Sequence, residues 1–301
     1  MVIEFSFVTY GMSMNEERNI ASELLSAAED IAARVGAVKI LVFLDGLPEK
    51  TPLPENAVII TRAGKESERA EHLQLTFGAS ILDVPDVRLD RAGQIDLAAL
   101  LALSQDVIMS QDNVIILVGV KGSTIDTLQV VRPNEEFSLV QALGKGRSKK
   151  AVRRVVFQRV ISIALELSTE GREGKSVGGF FVIGDSEKVA EHTEQLIMNP
   201  FRGYPEDMRS VLDDRLVETI KEFSTIDGAF VIRGDGVVLS AGTLIRTAMV
   251  DEDLPKGLGA RHAAAAGITR LTSAVAITVS ESDGTVRIWR KGKMVTELER
   301  E

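Results

Sequence analysis

Three short clusters in the last third of the chain combine residue types that bind metal ions and phosphates. Asp227-Gly228-Ala229 places a carboxylate and two small residues where a strand is predicted to begin, which leaves space for Mg²⁺, Mn²⁺ or a substrate hydroxyl. Gly259-Ala260-Arg261-His262 opens a predicted helix, where Arg and His add phosphate donors to the positive end of the helix dipole. Ser280-Glu281 ends a predicted strand with a hydroxyl and a second carboxylate. Clusters at strand ends and at one helix start are typical of a site at a sheet edge.

Each cluster also has a simpler structural interpretation. An aspartate before a glycine, as at Asp227, often hydrogen-bonds its own backbone in a turn. Arg261 and His262 fit a capped helix that points one polar residue outward, and Ser280-Glu281 fits a hairpin end. The residues by themselves leave both interpretations open.

Other candidate motifs are weaker. The glycine-rich stretch Gly171–Gly179 lacks the first glycine of a Walker loop and runs from a helix into a strand, so a solvent loop is the favoured interpretation. Gly119–Thr124 follows a strand and is a candidate anion contact at an ordinary strand-to-turn junction. His72 and His192 are interpreted as structural.

Composition narrows the classes of function. The 301 residues include 35 Lys and Arg against 44 Asp and Glu, a net charge of −9, which disfavours nucleic acid or an anionic membrane as partner. The chain has no cysteine, which excludes disulfides, zinc–thiolate sites and cysteine nucleophiles and fits a reducing, cytoplasmic setting. Neither a signal peptide nor a membrane-spanning run is recognisable.

The elements that would position these residues fall into two domains. Residues 1–133 alternate apolar runs with helical patterns, which predicts an open α/β layer, and Pro133 begins a linker. The predicted strands there are Val38–Leu44, Ala57–Thr61, Ser80–Val84, Asn113–Val120 and Thr127–Val131, and the predicted helices are Asn15–Val35 and Leu97–Ile108.

Residues 134–301 have longer helices and a strand-rich end, with Asp185 or Ser186 as a helix cap. The predicted strands are Phe180–Gly184, Ala229–Arg233, Val237–Ala241, Ala274–Ser280 and Val286–Lys291, with tight turns at Gly234-Asp235-Gly236 and Ser282-Asp283-Gly284. Apolar faces predict one helix through Val152, Val156, Val160, Ile163 and Leu167, and another through Met208, Leu212, Leu216, Ile220 and Phe223.

The ordered pair Asp227-Gly228-Ala229 and Gly259-x-Arg261-His262 resembles the paired motifs of diadenylate cyclases, which make cyclic di-AMP from two ATP molecules. The resemblance covers roughly residues 137–295, about half of the chain. It implies a mixed central sheet flanked by helices. The preceding half resembles, by layout, the pyruvate-kinase C-terminal-type domain of archaeal members.

The resemblance also implies a role for each residue. Asp227 would bind the metal, Mn²⁺ or Mg²⁺, and help to activate the ribose 3′-hydroxyl, with Glu281 as a second metal ligand. Arg261 and His262 would hold the phosphates, and Ser280 the phosphate tail. The remaining ATP-binding positions would be Gly228, Ala229, Gly259 and Ala260.

The resemblance implies that two subunits meet face to face, so the expected assembly is a homo-oligomer. One departure is that Ala260 and Ala263 flank the Arg–His pair, where the commoner motif has Thr and a second Arg. Losing that Arg removes a bidentate phosphate donor. The alternatives to a nucleotidyltransferase are therefore a non-catalytic adenine-nucleotide sensor on the same fold and an α/β scaffold or regulatory subunit.

Overall fold

The computed structural model describes residues 4–6, 14–49, 51–62, 66–119, 124–133, 152–172, 175–247 and 259–299. The chain divides into two compact units, residues 1–141 together with residue 301, and residues 142–300. The predicted boundary after residue 133 adjoins a stretch outside the described residues, so the position of the linker stays a prediction. Gly122 and Ser123 of the candidate anion contact also lie outside them.

The described part of the first unit forms a six-stranded sheet in the order β1-β6-β5-β2-β3-β4. The pairs β5–β2, β2–β3 and β3–β4 are parallel, and β6 and β1 continue the sheet antiparallel. Its elements are β1 Glu4–Ser6, α1 Met14–Val35, β2 Ala37–Phe43, β3 Ala57–Arg62, α2 Ser67–Phe77, β4 Ser80–Val84, α3 Arg91–Ser104, β5 Asn113–Val118 and β6 Thr127–Val131.

This sheet is the predicted open α/β layer. The helix predicted at Leu97–Ile108 was misplaced, because α3 begins at Arg91 and ends at Ser104. The carboxylate of Asp90 accepts a hydrogen bond from the amide of Gly93 at 2.7 Å and thereby caps the helix at that earlier point. The likeness of this unit to pyruvate-kinase C-terminal domains stays a prediction.

The second unit is built on a seven-stranded mixed sheet in the order β13-β12-β11-β7-β9-β10-β8. Among the described strands of this second sheet, only β7 and β9 pair in parallel. The elements are α4 Arg154–Glu170, β7 Gly179–Ile183, α5 Ser186–Glu191, β8 Thr193–Gln195, α6 Leu216–Phe223, β9 Ala229–Ile232, β10 Val238–Ile245, α7 Ala260–Leu271, β11 Val275–Val279, β12 Val286–Arg290 and β13 Lys293–Leu298.

Helices cover both faces of this sheet, as predicted. On one face Phe180, Val182 and Trp289 form a core with Ala265 and Ile268 of α7. Alternate residues of a strand point to opposite faces, so the intervening residues of β7 lie on the other face, where α4 contacts β7 and β11. The core of the second unit therefore lies on both sides of its sheet.

The helix predicted through Met208, Leu212 and the residues after them was wrong in its first half. A 3₁₀ turn occupies Asp207–Arg209, and α6 spans only Leu216–Phe223. Between them the amide of Val211 donates to the carbonyl of Gly236 at 2.9 Å, so pairing with the β9–β10 turn overrides the helical periodicity.

Asp185 does not cap α5 with its side chain, contrary to the prediction. The residue has a positive φ of 45° and is 4% exposed. Its carboxylate oxygen Oδ2 accepts hydrogen bonds from the amide and the hydroxyl of Ser273, at 2.8 and 3.0 Å. The side chain thus joins the end of β7 to the start of β11. Over the described residues, no helix is long and apolar enough to cross a membrane.

Candidate active site

A polar cavity of about 710 Å³ opens where β11 ends and α7 begins. It brings together the three sequence clusters, which come from three separate segments of the second unit. Its lining residues are Asp227, Gly259, Ala260, Arg261, His262, Val279, Ser280, Glu281, Ser282, Asp283 and Arg287. Its size suits a nucleotide-sized ligand.

Arg261 joins the two candidate metal-binding carboxylates. Its Nη2 lies 3.2 Å from Oδ1 of Asp227, and its Nη1 lies 3.5 Å from Oε2 of Glu281. The guanidinium rests against the backbone of Gly178, where an added Cβ would lie 2.0 Å from Nη1. In this structure Arg261 therefore neutralises two acids, although the sequence analysis treats it as a phosphate donor.

Asp227 is presented on a short connection between α6 and β9, and its side chain is 90% exposed. A glycine is required at the next position because the backbone of β10 lies close to it. Gly228 has a φ of +109°, and an added Cβ would lie 2.6 Å from the amide nitrogen of Thr243. Close packing of β9 on β10 thus fixes Asp227 at the cavity while its carboxylate stays open to solvent.

The N-terminus of α7 opens onto the cavity. Gly259 occupies the N-cap position without a side-chain cap, and it lines the cavity together with Ala260. Amides of a first helical turn and the helix dipole favour an anion at this place. Ser280 faces the same space from the end of β11, and its hydroxyl lies 3.1 Å from that of Ser282.

His262 lies at the wall of the cavity and is 7% exposed. Its Nε2 is 3.5 Å from Nη1 of Arg287, and its ring packs edge-on against Trp289 with centroids 6.1 Å apart. Burial, the charge of Arg287 and that of Arg261 lower the pKa of His262 to about 4, against an opposing effect of Asp283. The imidazole is therefore neutral near neutral pH and adds no positive charge to the cavity. Its Nδ1 is buried and has no hydrogen-bond partner among the described residues.

The carboxylates of this cavity fit a hard divalent cation in part. Among the described residues, no group of three or more His, Cys, Asp or Glu side chains could hold a metal ion. Asp227 and Glu281 flank one guanidinium, so they can supply two carboxylate ligands on the same side of the cavity. Mg²⁺ is typically bound by one or two carboxylates with the rest of its shell from water and substrate phosphates. The donor set thus suits a cation that arrives with a nucleotide.

The other proposed ATP-binding residues are placed differently. Gly228 and Ala229 are not among the described residues that line the cavity, and the side chain of Ala229 is fully buried in the core. A nucleotide contact at Ala229 would therefore involve its backbone. Beside the cavity lies a second one of about 380 Å³, which shares Arg261 and Glu281 and is lined by part of the loop at residues 171–179.

One cation of the site, Arg287, belongs to none of the three sequence clusters. It lies on β12 opposite Thr278 of β11, and it is 9% exposed. The signal that could have found it is the odd-even pattern of β12, where Arg287 shares a face with the apolar Trp289. An arginine on the core-facing side of a strand has to be paired or functional.

The family described as "DisA bacterial checkpoint controller nucleotide-binding" (DAC) matches residues 166–294, which lie within the second unit. A diadenylate cyclase from Methanocaldococcus jannaschii is 38% identical over 200 residues, which cover 66% of this chain and 63% of that protein. Another, from Haloferax volcanii, is 38% identical over 203 residues, covering 66% of this chain and 72% of that protein. The second unit thus contains a DAC domain. The chain belongs to the diadenylate cyclase family.

Two solved structures are also similar to parts of the chain. A hypothetical membrane-spanning protein from Bacillus cereus has a TM-score of 0.35 and 17% identity, and the match covers 47% of this chain and 61% of that one. A double mutant of DacA from Staphylococcus aureus has a TM-score of 0.31 and 20% identity, over 46% of this chain and 84% of that one.

Proposed function

We propose that the second unit condenses two ATP molecules into cyclic di-AMP and two pyrophosphates. The observation that carries the proposal is the single cavity that unites Asp227, Arg261, His262 and Ser280-Glu281 at the start of α7. Family membership supports it, since both curated relatives are diadenylate cyclases.

The reaction makes two bonds between a 3′-oxygen and an α-phosphorus. It breaks the two bonds from the α-phosphorus to the leaving pyrophosphates, and it releases one proton from each 3′-hydroxyl. In this proposal the exposed carboxylate of Asp227 orients the 3′-hydroxyl and favours loss of its proton. Amides at the start of α7 and the hydroxyl of Ser280 donate hydrogen bonds to phosphate oxygens. Neutral His262 contacts Arg287 at the wall of the same cavity.

Asp227 and Glu281 would hold Mn²⁺ or Mg²⁺. When bound, the cation supplies charge neutralisation at the phosphates and polarises the attacking hydroxyl. Arg261 contacts both carboxylates, and its guanidinium would be available to a phosphate if the acids were paired with a cation instead. Phosphoryl transfer depends mainly on such positioning and charge neutralisation, and no covalent nucleophile is needed.

The product requires two cavities that face each other, because each 3′-hydroxyl attacks the other nucleotide. We therefore propose a homo-oligomer with paired sites. Correct alignment can contribute roughly 7–11 kcal/mol to lowering such a barrier. Dilution of the protein should lower the rate per subunit once the paired state dissociates, whereas a site complete in one subunit would keep a constant rate.

The direct test incubates the full chain with ATP and Mg²⁺ or Mn²⁺ and separates the products. Wild-type protein should form cyclic di-AMP, and Asp227→Asn should lose nearly all of this activity while keeping its fold. Asp214→Asn is the matched control, because Asp214 is equally exposed, at 91% against 90%, and also pairs with an arginine, Arg159, outside the cavity. Full activity in Asp227→Asn would refute the role of that carboxylate.

The alternative, a sensor that binds adenine nucleotides without converting them, makes a different prediction for the same experiment. Such a protein would bind ATP and return it unchanged with either cation. Product from the wild type excludes the sensor, and bound but intact ATP excludes the cyclase.

A further inference from the structure

Arg287 brings a second guanidinium to the wall of the cavity. It extends from β12, where it is in register with Thr278 on one side and Glu297 on the other. The strand face that carries it also carries Trp289 and is covered by α7. This covering helix explains why an arginine in the middle of a strand is 9% exposed and still lines the cavity.

Two contacts hold the guanidinium in place. Its Nε donates to Oε2 of Glu297 at 3.1 Å. Its Nη1 lies 3.5 Å from Nε2 of His262. Arginine has no acceptor, so in this contact Nε2 of the neutral imidazole accepts. Both partners belong to the protein, so the head of the side chain is oriented by groups other than the ligand.

The carboxylates around the cavity and the phosphates of a nucleotide together exceed the positive charge of Arg261. Asp227, Glu281 and Asp283 line the wall, and in this structure Arg261 contacts the first two. A nucleoside triphosphate adds several further negative charges. The desolvation of a buried guanidinium is costly unless charge and hydrogen bonds offset it. Glu297 offsets part of that cost, and a phosphate bound beside the positive end of α7 would add a second anionic partner for Arg287.

We propose that Arg287 binds the polyphosphate of the nucleotide, with Glu297 and His262 as the residues that position its guanidinium. The inference rests on the proposed function for the identity of the ligand, ATP. It concerns binding, however, and can be tested without turnover. It assigns to the sheet a phosphate-binding cation that is separate from the Arg–His pair on the helix.

The experiment measures the affinities of full-length protein for ATP with Mg²⁺ and for adenosine by titration calorimetry. Arg287→Gln should weaken ATP binding about 10- to 100-fold, the range expected when a hydrogen bond to a charged group is lost. Adenosine binding should stay within about 3-fold, because that ligand has no phosphate. Arg287→Lys should lie between the wild type and Arg287→Gln for ATP, since it keeps the charge but not the planar fork.

Arg270→Gln is the matched control, because Arg270 is an exposed arginine near the other end of α7, about 13 Å along the helix from Arg261. It should leave both affinities unchanged. The fluorescence of Trp289, the one tryptophan of the chain, reports whether β12 keeps its native packing in each variant. If Arg287→Gln unfolds, Arg287→Lys carries the comparison.

The outcomes separate this inference from the proposed function. If the wild type makes cyclic di-AMP and folded Arg287 variants bind ATP as tightly as the wild type, the inference is wrong and the function stands. If the wild type binds ATP without converting it and Arg287→Gln weakens that binding selectively, the function is wrong and the inference stands. Equal losses for ATP and adenosine would also overturn it, because they indicate a structural role.

Discussion

Protonation of His262 should destabilise the second unit at mildly acidic pH. The pKa of this buried imidazole falls from 6.5 to about 4 on folding, first because of burial and then because of Arg287. A depressed pKa contributes stability that is fully present above pH 6.5 and is lost as the pH falls towards 4. Linkage between these two values gives a loss of about 2 kcal/mol in the free energy of unfolding between about pH 7.5 and about pH 5.

The assay is urea unfolding followed by tryptophan fluorescence. Trp289 is the single tryptophan of the 301 residues and packs against His262, so its signal follows the unit that contains the group. The free energy of unfolding is obtained at both pH values for the wild type and for His262→Gln. The wild type should lose about 2 kcal/mol more than the variant between the two pH values.

The control is His72→Gln, which changes an exposed histidine of α2 in the other unit. Because of that location, it should leave the transition reported by Trp289 as in the wild type at both pH values. An equal loss of stability in wild type and His262→Gln would show that the acid sensitivity comes from other groups. The lowered pKa assigned to His262 would then be wrong.

Three further substitutions test the packing around the site and in the first unit. Gly178→Ala places a Cβ 2.0 Å from Nη1 of Arg261, so it should displace the guanidinium. Cyclic di-AMP formation should slow about 10- to 100-fold at an unchanged melting temperature. A wild-type rate would show that Arg261 need not lie against Gly178. Gly228→Ala combines a φ of +109° with a backbone clash, so it should lower the free energy of unfolding in urea by on the order of 3 kcal/mol. A decrease below about 1 kcal/mol would contradict the conclusion that the backbone is fixed at this position. Arg62→Gln removes the hydrogen bonds of a buried arginine to Asp45 at 2.8 Å and to Gln94 at 2.7 Å, and it should cost on the order of 3 kcal/mol, measured by circular dichroism of thermal unfolding. An unchanged transition would mean that these two hydrogen bonds are dispensable.

Five of the six described strands of the first sheet were predicted, and β1 at Glu4–Ser6 was missed. A parallel strand buried on both faces appears as a continuous apolar run, as at Ala57–Arg62, and its short length favours a strand over a helix. Ser80–Val84 and Thr127–Val131 match their predicted bounds, and Ala57–Arg62 differs by one residue. In contrast, the stretch from Met208 to Leu212 has helical periodicity but pairs its backbone with the turn at Gly236. A long-range contact of this kind leaves no periodic signal.

The sequence predicted which residues meet at the site better than it predicted the contacts between them. Asp227, Arg261 and Glu281 could be grouped because residues at strand ends and helix starts converge at a sheet edge. That Arg261 would neutralise both acids depends on the close approach to Gly178, which spacing does not reveal. Arg287 was missed because an arginine in a strand is ordinarily solvent-facing, and only the helix laid over β12 makes this one part of a cavity.

The hydrogen bonds that Ser273 donates to Asp185 have a consequence at the opposite end of β11. A slip of β11 by one residue along β7 would carry Ser280 and Glu281 about 3.3 Å and turn each to the reverse side. The aspartate anchors the strand at its beginning, where Val275 is aligned with Ile183. The positions of Ser280 and Glu281 at the candidate site are thus fixed by a contact at the other end of the strand.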